Sequence, residues 1–272
     1  MKRFVVVAVV VALIVVAGVG GYLLLRETPG AHSSAASEPS PVTVTTAPAS
    51  PVPPPSPSPT ESPEPVAVVP DESWSGPSGS MAVTGSDAVA LTFDDGPSPA
   101  WTPHVLNTLR DWQVKATFCV VGTEVRANPE LVKAIVADGH TLCNHSWHHE
   151  TRLGHESATK IRRNLERTND AIRDIVPDAY IGYYRQPGGQ WTERVVRIAM
   201  EMGMVPLHWS VDPSDWDKST RSSHIERNVL GHTSAGSIIL MHDGGGDRRR
   251  TSDALGPILS ELTSRFRLIA LP

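Results

Sequence analysis

From Ala88 onward, short apolar runs alternate with stretches in which apolar residues recur every three or four positions. The runs are Val89–Phe93, Ala116–Val121, His140–Asn144, Ile181–Arg185, Met204–Trp209, Ser237–Met241 and Phe266–Ala270. Their length and boundaries predict seven strands. Four helices are predicted between them. Thr102 is read as the cap of the first, with Pro103 at its first position. Pro129–Ala137 is the second, ended by Gly139. Ala158–Val176 is the third, with Ile161, Leu165, Ile172 and Ile175 near one face, and Thr192–Met202 is the fourth, ended by Gly203. This alternation predicts an α/β fold with a parallel sheet or barrel. Seven units suit an incomplete or distorted (β/α) barrel, in which chemistry gathers at the C-terminal ends of the strands.

The first 80 residues have a different pattern. Lys2 and Arg3 precede 22 uncharged, mostly apolar residues, Phe4 to Leu25, and Arg26 and Glu27 close the run. As a helix this run is ~33 Å long, enough to span hydrocarbon. Residues 1–27 are therefore read as a signal-anchor segment, with the leading basic pair inside and the remainder outside. The alternative is a cleaved signal peptide, whose apolar region is normally ~7–15 residues. Here the nearest small-x-small site, Ser33 to Ala35, sits well past the run. Both readings export the rest of the chain. Residues 28–80 are rich in Pro, Ser and Thr and bury too little apolar surface to fold, so they are read as a disordered linker. Fully extended, such a linker reaches ~160 Å. Residues 81–272 remain for the globular part.

Composition narrows the function. The net charge is −5, with no basic stripe, so nucleic acid is not an expected partner. The Gly-rich phosphate-binding signatures are absent, as is G-x-S-x-G. Two cysteines exclude a disulfide-rich scaffold and an all-cysteine zinc site. Cys119 and Cys143 lie on consecutive predicted strands, which are often neighbours. In an exported chain this favours a disulfide over two buried thiols.

Five of the seven predicted strand ends carry polar groups. The first ends in Thr92-Phe93-Asp94-Asp95-Gly96-Pro97. The third runs into Asn144-His145-Ser146-Trp147-His148-His149. His145 and His149 are four apart, so one helical turn would place both rings on one side, with His148 pointing elsewhere. One carboxylate and two imidazoles form the ligand set of a catalytic metal site with open positions, which leaves a second aspartate free as a base. Further ends carry Arg185-Gln186-Pro187-Gly188-Gly189, Asp212-Pro213-Ser214-Asp215-Trp216 and Leu240-Met241-His242-Asp243.

Taken in order, these motifs resemble those of the NodB-like polysaccharide deacetylases, carbohydrate esterase family four, from about Val89 to Ala270. TFDDGP at 92–97 and HSWHH at 145–149 carry the resemblance, supported by DPSDW at 212–216 and LMH at 240–242. It implies a distorted (β/α) barrel and metal-dependent removal of acetyl groups from a polysaccharide. It places a divalent metal, zinc first and cobalt or nickel as alternatives, on Asp95, His145 and His149. Asp94 becomes the base, paired with Arg185, and His242 the acid, paired with Asp215. Trp216 and Leu240 line the acetyl pocket, and the backbone N–H of Gly188 faces the oxyanion.

RQPGG at 185–189 departs from the family's usual R-P-P-Y-G. Gly188 replaces a tyrosine and Gln186 a proline, and Trp191 is the nearest aromatic that could compensate. The anchor and linker make cell-wall peptidoglycan the first expected substrate of a monomeric, extracytoplasmic, membrane-anchored enzyme. Chitooligosaccharide deacetylase and acetylxylan esterase are the alternatives. The rival of another class is a non-catalytic glycan-binding domain, which would need neither Asp94 nor His242.

Overall fold

The computed structural model describes residues 74–272. The expected anchor and all but the end of the linker lie outside the described residues. Among the described residues no helix is long and apolar enough to cross a membrane.

Among the described residues seven parallel strands form one curled sheet. They are β1 (Val89–Asp94), β2 (Thr117–Val120), β3 (Thr141–Asn144), β4 (Tyr183–Tyr184), β5 (Val205–Pro206), β6 (Ile238–His242) and β7 (Leu268–Ile269). The order is β5-β4-β3-β2-β1-β6. One edge of β1 pairs with β6, and the other is shared between β7 at its start and β2 at its end. The outer edges, β5 and β6, are linked by a strap. Met81 bridges Leu207 and Val83 bridges Ser237, while Val211 bridges Ile239 further along. All seven predicted strands are present, but β4, β5 and β7 are only two residues long: β4 lacks Ile181 and Gly182 at its start and Arg185 at its end, and β5 gives way to a loop from Leu207 onward.

The helices cover the convex face. They are α1 (Thr102–Asp111), α2 (Gly122–Ala127), α3 (Pro129–Ala137), α4 (Ala158–Arg173), α5 (Glu193–Glu201), α6 (Ser222–His232) and α7 (Arg249–Arg265). Side-chain caps start two of them. Ser157 accepts the Lys160 N–H for α4, and Thr192 accepts the Val195 N–H for α5. Thr102 does not cap α1. It is the first helical residue, behind Trp101, and its hydroxyl donates to Asp243 instead. The third predicted helix stops at Arg173, short of Val176. Helices α2, α6 and α7 have no counterpart among the four predicted; in α7, Pro257 sits inside the helix and reads locally as a breaker.

Strand periodicity sorts the core into two clusters. In β1, Val89, Leu91 and Phe93 pack outward under the helices, where Phe93 stacks on Phe118 with ring centroids 5.2 Å apart. Ala90 packs inward with Cys119, Cys143, Tyr183, Leu207 and Ile238. Thr92 and Asp94 share the parity of Ala90. In β6, Ile239 and Met241 belong to the outer cluster and Ile238 to the inner one, so Leu240 and His242 fall on the inner face. Cys119 and Cys143 are register partners on β2 and β3 and are joined by a disulfide, with Cα atoms 4.1 Å apart.

Candidate active site

Strand geometry alone brings two titratable groups together. Asp94 and His242 are register partners at the C-terminal ends of adjacent strands, both on the inner face. Arg185 comes directly after β4. It is fully buried, and its Nη1 donates to Asp94 Oδ1 and to Thr92 Oγ1, each at 2.7 Å. Its Nε and Nη2 donate to the carbonyls of Leu207 and His208 at 3.2 and 3.0 Å. Four of the five N–H groups of this buried guanidinium are engaged, and the pairing leaves Oδ2 as the oxygen of Asp94 not bonded to Arg185.

Asp215 grips His242 from the opposite side. Its Oδ1 pairs with His242 Nδ1 at 2.7 Å, and its Oδ2 accepts the His242 N–H at 2.9 Å and the Thr251 hydroxyl at 2.7 Å. This arrangement leaves Nε2 as the free nitrogen of His242. Burial alone would lower the pKa of His242, but the charge and hydrogen bond of Asp215, with Asp94 and Asp95 behind them, push it up to about 9.

Asp95 turns off β1 in the left-handed region, at φ 74°. Two glycines pack against it: a Cβ on Gly245 would overlap the Asp95 carboxylate and one on Gly244 its backbone carbonyl, while one on Gly96 would overlap Asp243. Asp243 is itself buried. One of its oxygens accepts the Thr102 hydroxyl at 2.5 Å, the other has no partner, and burial pushes its carboxyl up to about 7.

His145 and His149 reach the same place, but no helical turn carries them. The chain bends after β3 with Ser146 at φ 66° and His149 at φ 61°. Asn144 starts this bend. Its Nδ2 donates to the Leu165 carbonyl and to Asn169 Oδ1, and its Oδ1 accepts the Ser146 N–H at 2.9 Å. The His145 Nδ1 lies 2.9 Å from the Arg185 carbonyl, which aims Nε2 at the aspartates. His148 is exposed.

Nε2 of His145 and Nε2 of His149 lie 3.5 and 3.3 Å from Asp95 Oδ1. These approaches are not hydrogen bonds: Asp95 Oδ1 is buried and has no hydrogen-bond partner among the described residues. Ligand atoms of Asp95, His145 and His149 all lie within 4.8 Å of one another. Burial opposes the charge of Asp95, yet His145, His242 and His149 outweigh it and hold the carboxyl well below the usual carboxylate range. A buried, unsatisfied carboxylate oxygen facing two imidazole nitrogens fits a divalent cation.

A cavity of about 330 Å³ joins these groups. It is lined by Asp94, Asp95, His145, His149, Gly188, Trp209, Asp212, Trp216, Leu240 and His242. Arg185 and Asp215 stand behind the wall, and the disulfide lies apart from the lining. Trp191 does not compensate for the missing tyrosine. It turns inward, donating from Nε1 to His208 Nδ1 at 3.0 Å and packing its ring edge-on against Tyr184. The aromatic that sequence reasoning misses is Trp209, whose ring covers Gly189 closely enough that a Cβ there would lie 2.9 Å away. The expected strand Met204–Trp209 hides it, because the strand ends at Pro206 and the loop beyond re-aims the ring. Gly188 has φ 62° and ψ 13°, a backbone that glycine adopts without strain and tyrosine does not.

A polysaccharide deacetylase family model matches residues 82–207. The chitooligosaccharide deacetylase of Sinorhizobium fredii is 39% identical over 161 residues, covering 59% of this chain and 74% of the relative. The chain belongs to the polysaccharide deacetylases, carbohydrate esterase family four. Among solved structures, the Bc1960 peptidoglycan N-acetylglucosamine deacetylase aligns with a TM-score of 0.65 and 33% identity, over 70% of this chain and 89% of that one. A pseudoenzyme of the same family from Bacillus anthracis aligns with a TM-score of 0.63 and 27% identity, over 69% of this chain and 66% of that one. Because the family includes a pseudoenzyme, the fold alone does not confer the activity and the residue set matters. Here a possible metal triad and both flanking titratable pairs are present. The protein is a polysaccharide deacetylase, a hydrolase of acetylated glycans.

Proposed function

We propose that the protein is a metal-dependent deacetylase of N-acetylated cell-wall polysaccharide, with peptidoglycan as its substrate. The observation that carries this reading is one cavity holding a metal-ligand triad between a base and an acid that have separate partners. Asp95, His145 and His149 would hold the metal, and two nitrogens with one oxygen suit zinc. When bound, the metal supplies Lewis acidity toward the acetyl carbonyl and the attacking water.

The chain's own residues do the rest. Asp94 takes the proton of the attacking water on Oδ2, because Oδ1 is committed to Arg185. Arg185 also fixes the orientation of that carboxylate. His242 holds its proton on Nε2 and delivers it to the departing sugar nitrogen. Leu240 excludes water around the acetyl methyl, and Trp209 and Trp216 present aromatic faces to the sugar. The backbone N–H of Gly188 faces the developing oxyanion.

The envelope location rests on the Lys2-Arg3 pair, the apolar run Phe4–Leu25 and the Pro-rich stretch after it. Such an anchor and stalk hold a monomeric domain beside the wall and outside the membrane. A second reading, activity on chitooligosaccharide, is favoured by the relative from Sinorhizobium fredii. Acetate release from peptidoglycan, chitooligosaccharide and acetylxylan, measured side by side with and without zinc, tests both readings. Peptidoglycan should lead and chelation should abolish release. Equal release after chelation would sink the metal assignment, and preference for soluble oligomers would favour the second reading.

A further inference from the structure

We propose that Gln186 is a positioning residue for the metal-ligand loop: its side-chain amide fixes the backbone that carries His149. The inference rests on the proposed metal site. The two histidines are held unequally. His145 is buried and its outer ring nitrogen meets the Arg185 carbonyl at 2.9 Å. The His149 side chain is 39% exposed, and its outer ring nitrogen has no hydrogen-bond partner among the described residues. Metal-bound histidines depend on such outer partners for their orientation. His149 must therefore be placed by its backbone, which sits at φ 61°.

Gln186 supplies that placement. It is fully buried, and its Nε2 donates to the carbonyls of Glu150 and Thr151, the two residues after His149, at 3.1 and 3.0 Å. Its Oε1 accepts the Tyr184 hydroxyl at 2.5 Å, so the amide is anchored at both ends. The proline usual at this position in the resembling motif has no amide to offer. Consecutive residues thus divide the work. The Arg185 side chain sets Asp94, its carbonyl sets His145, and Gln186 sets the loop of His149.

The test is zinc titration of the full chain against a competing chelator. Gln186→Met keeps the volume and removes both ends of the amide. Zinc affinity should weaken by up to the roughly 10–100-fold lost when a direct outer partner of a metal ligand is removed, since Gln186 acts on the ligand's loop rather than on its ring. Excess zinc should then restore kcat. A purely structural role would lower the melting temperature of the metal-free protein and leave zinc affinity unchanged. If the methionine variant does not fold, Gln186→Pro replaces it, since φ −72° at this residue admits proline. Wild-type zinc affinity in either folded variant would overturn the inference. A wild-type protein that binds no zinc would instead overturn the metal reading beneath it.

Discussion

The two sides of the catalytic cavity are built by different means. On one side, Asp94 and His242 end adjacent strands of six and five residues and are register partners. Their partners, Arg185 and Asp215, are almost wholly buried. On the other side, β4 and β5 are two residues each, and His149 arrives on a loop with two left-handed residues. Sheet pairing therefore fixes the proposed acid and base, whereas side-chain contacts with loop carbonyls fix the two histidines of the proposed metal site. A ladder tolerates loss of a single side-chain contact better than a loop does. The two halves should then fail separately: metal affinity on the loop side, proton transfer on the strand side.

The largest effects should come from the ligands. His145→Ala or His149→Ala should lose the metal and nearly all activity while remaining folded, read by elemental analysis and circular dichroism. Full metal content in both variants would refute the triad. His148→Ala, at an exposed position of the same loop, should keep the metal.

Next in size is the acid. An amine leaves poorly without a proton, whereas an activated phenol needs little help. His242→Ala should lose far more kcat/KM on an N-acetyl sugar than on an aryl acetate. Equal losses on both would remove His242 from the role of leaving-group acid.

A smaller effect concerns pH. As the proposed acid, His242 must be protonated, so activity should fall as pH rises through its pKa, which Asp215 and its neighbours raise to about 9. Asp215→Asn removes the main cause of that rise, so the alkaline limb of the rate profile should move to lower pH. An unmoved limb would mean that another group controls it.

The smallest effect on catalysis should come from the disulfide, which lies apart from the cavity lining. Reducing Cys119–Cys143 should remove ~2–4 kcal/mol of stability. The melting temperature should fall with kcat nearly intact. A large loss of kcat at a temperature where the reduced protein is folded would tie the disulfide to the site.

The strand side is the more legible in sequence. Short apolar runs mark β1 and β6, and a period of two carries Asp94 and His242 to one face once the strands pair. The loop side is legible as chemistry but not as geometry. His145 and His149 at a spacing of four suggest a helical turn, but the Asn144 side chain takes the Ser146 N–H and bends the chain instead. That competition between a side chain and the helix ladder leaves only a faint local signal. Trp209 takes the place expected of Trp191 because loop geometry beyond a two-residue strand does not obey strand parity. Gln186 stands out only as a departure from a motif. Its partners at Glu150 and Thr151 are 36 and 35 positions away and emerge only in the fold.

The most direct measurement is metal content together with kcat/KM in Asp94→Asn. This substitution keeps the shape of the side chain but cannot take a proton from water. If the strand side does the proton transfer and the loop side the metal binding, Asp94→Asn should retain one equivalent of zinc and lose activity on both N-acetyl sugar and aryl acetate. Loss of the zinc along with the activity, or near-normal turnover with the zinc in place, would contradict the division.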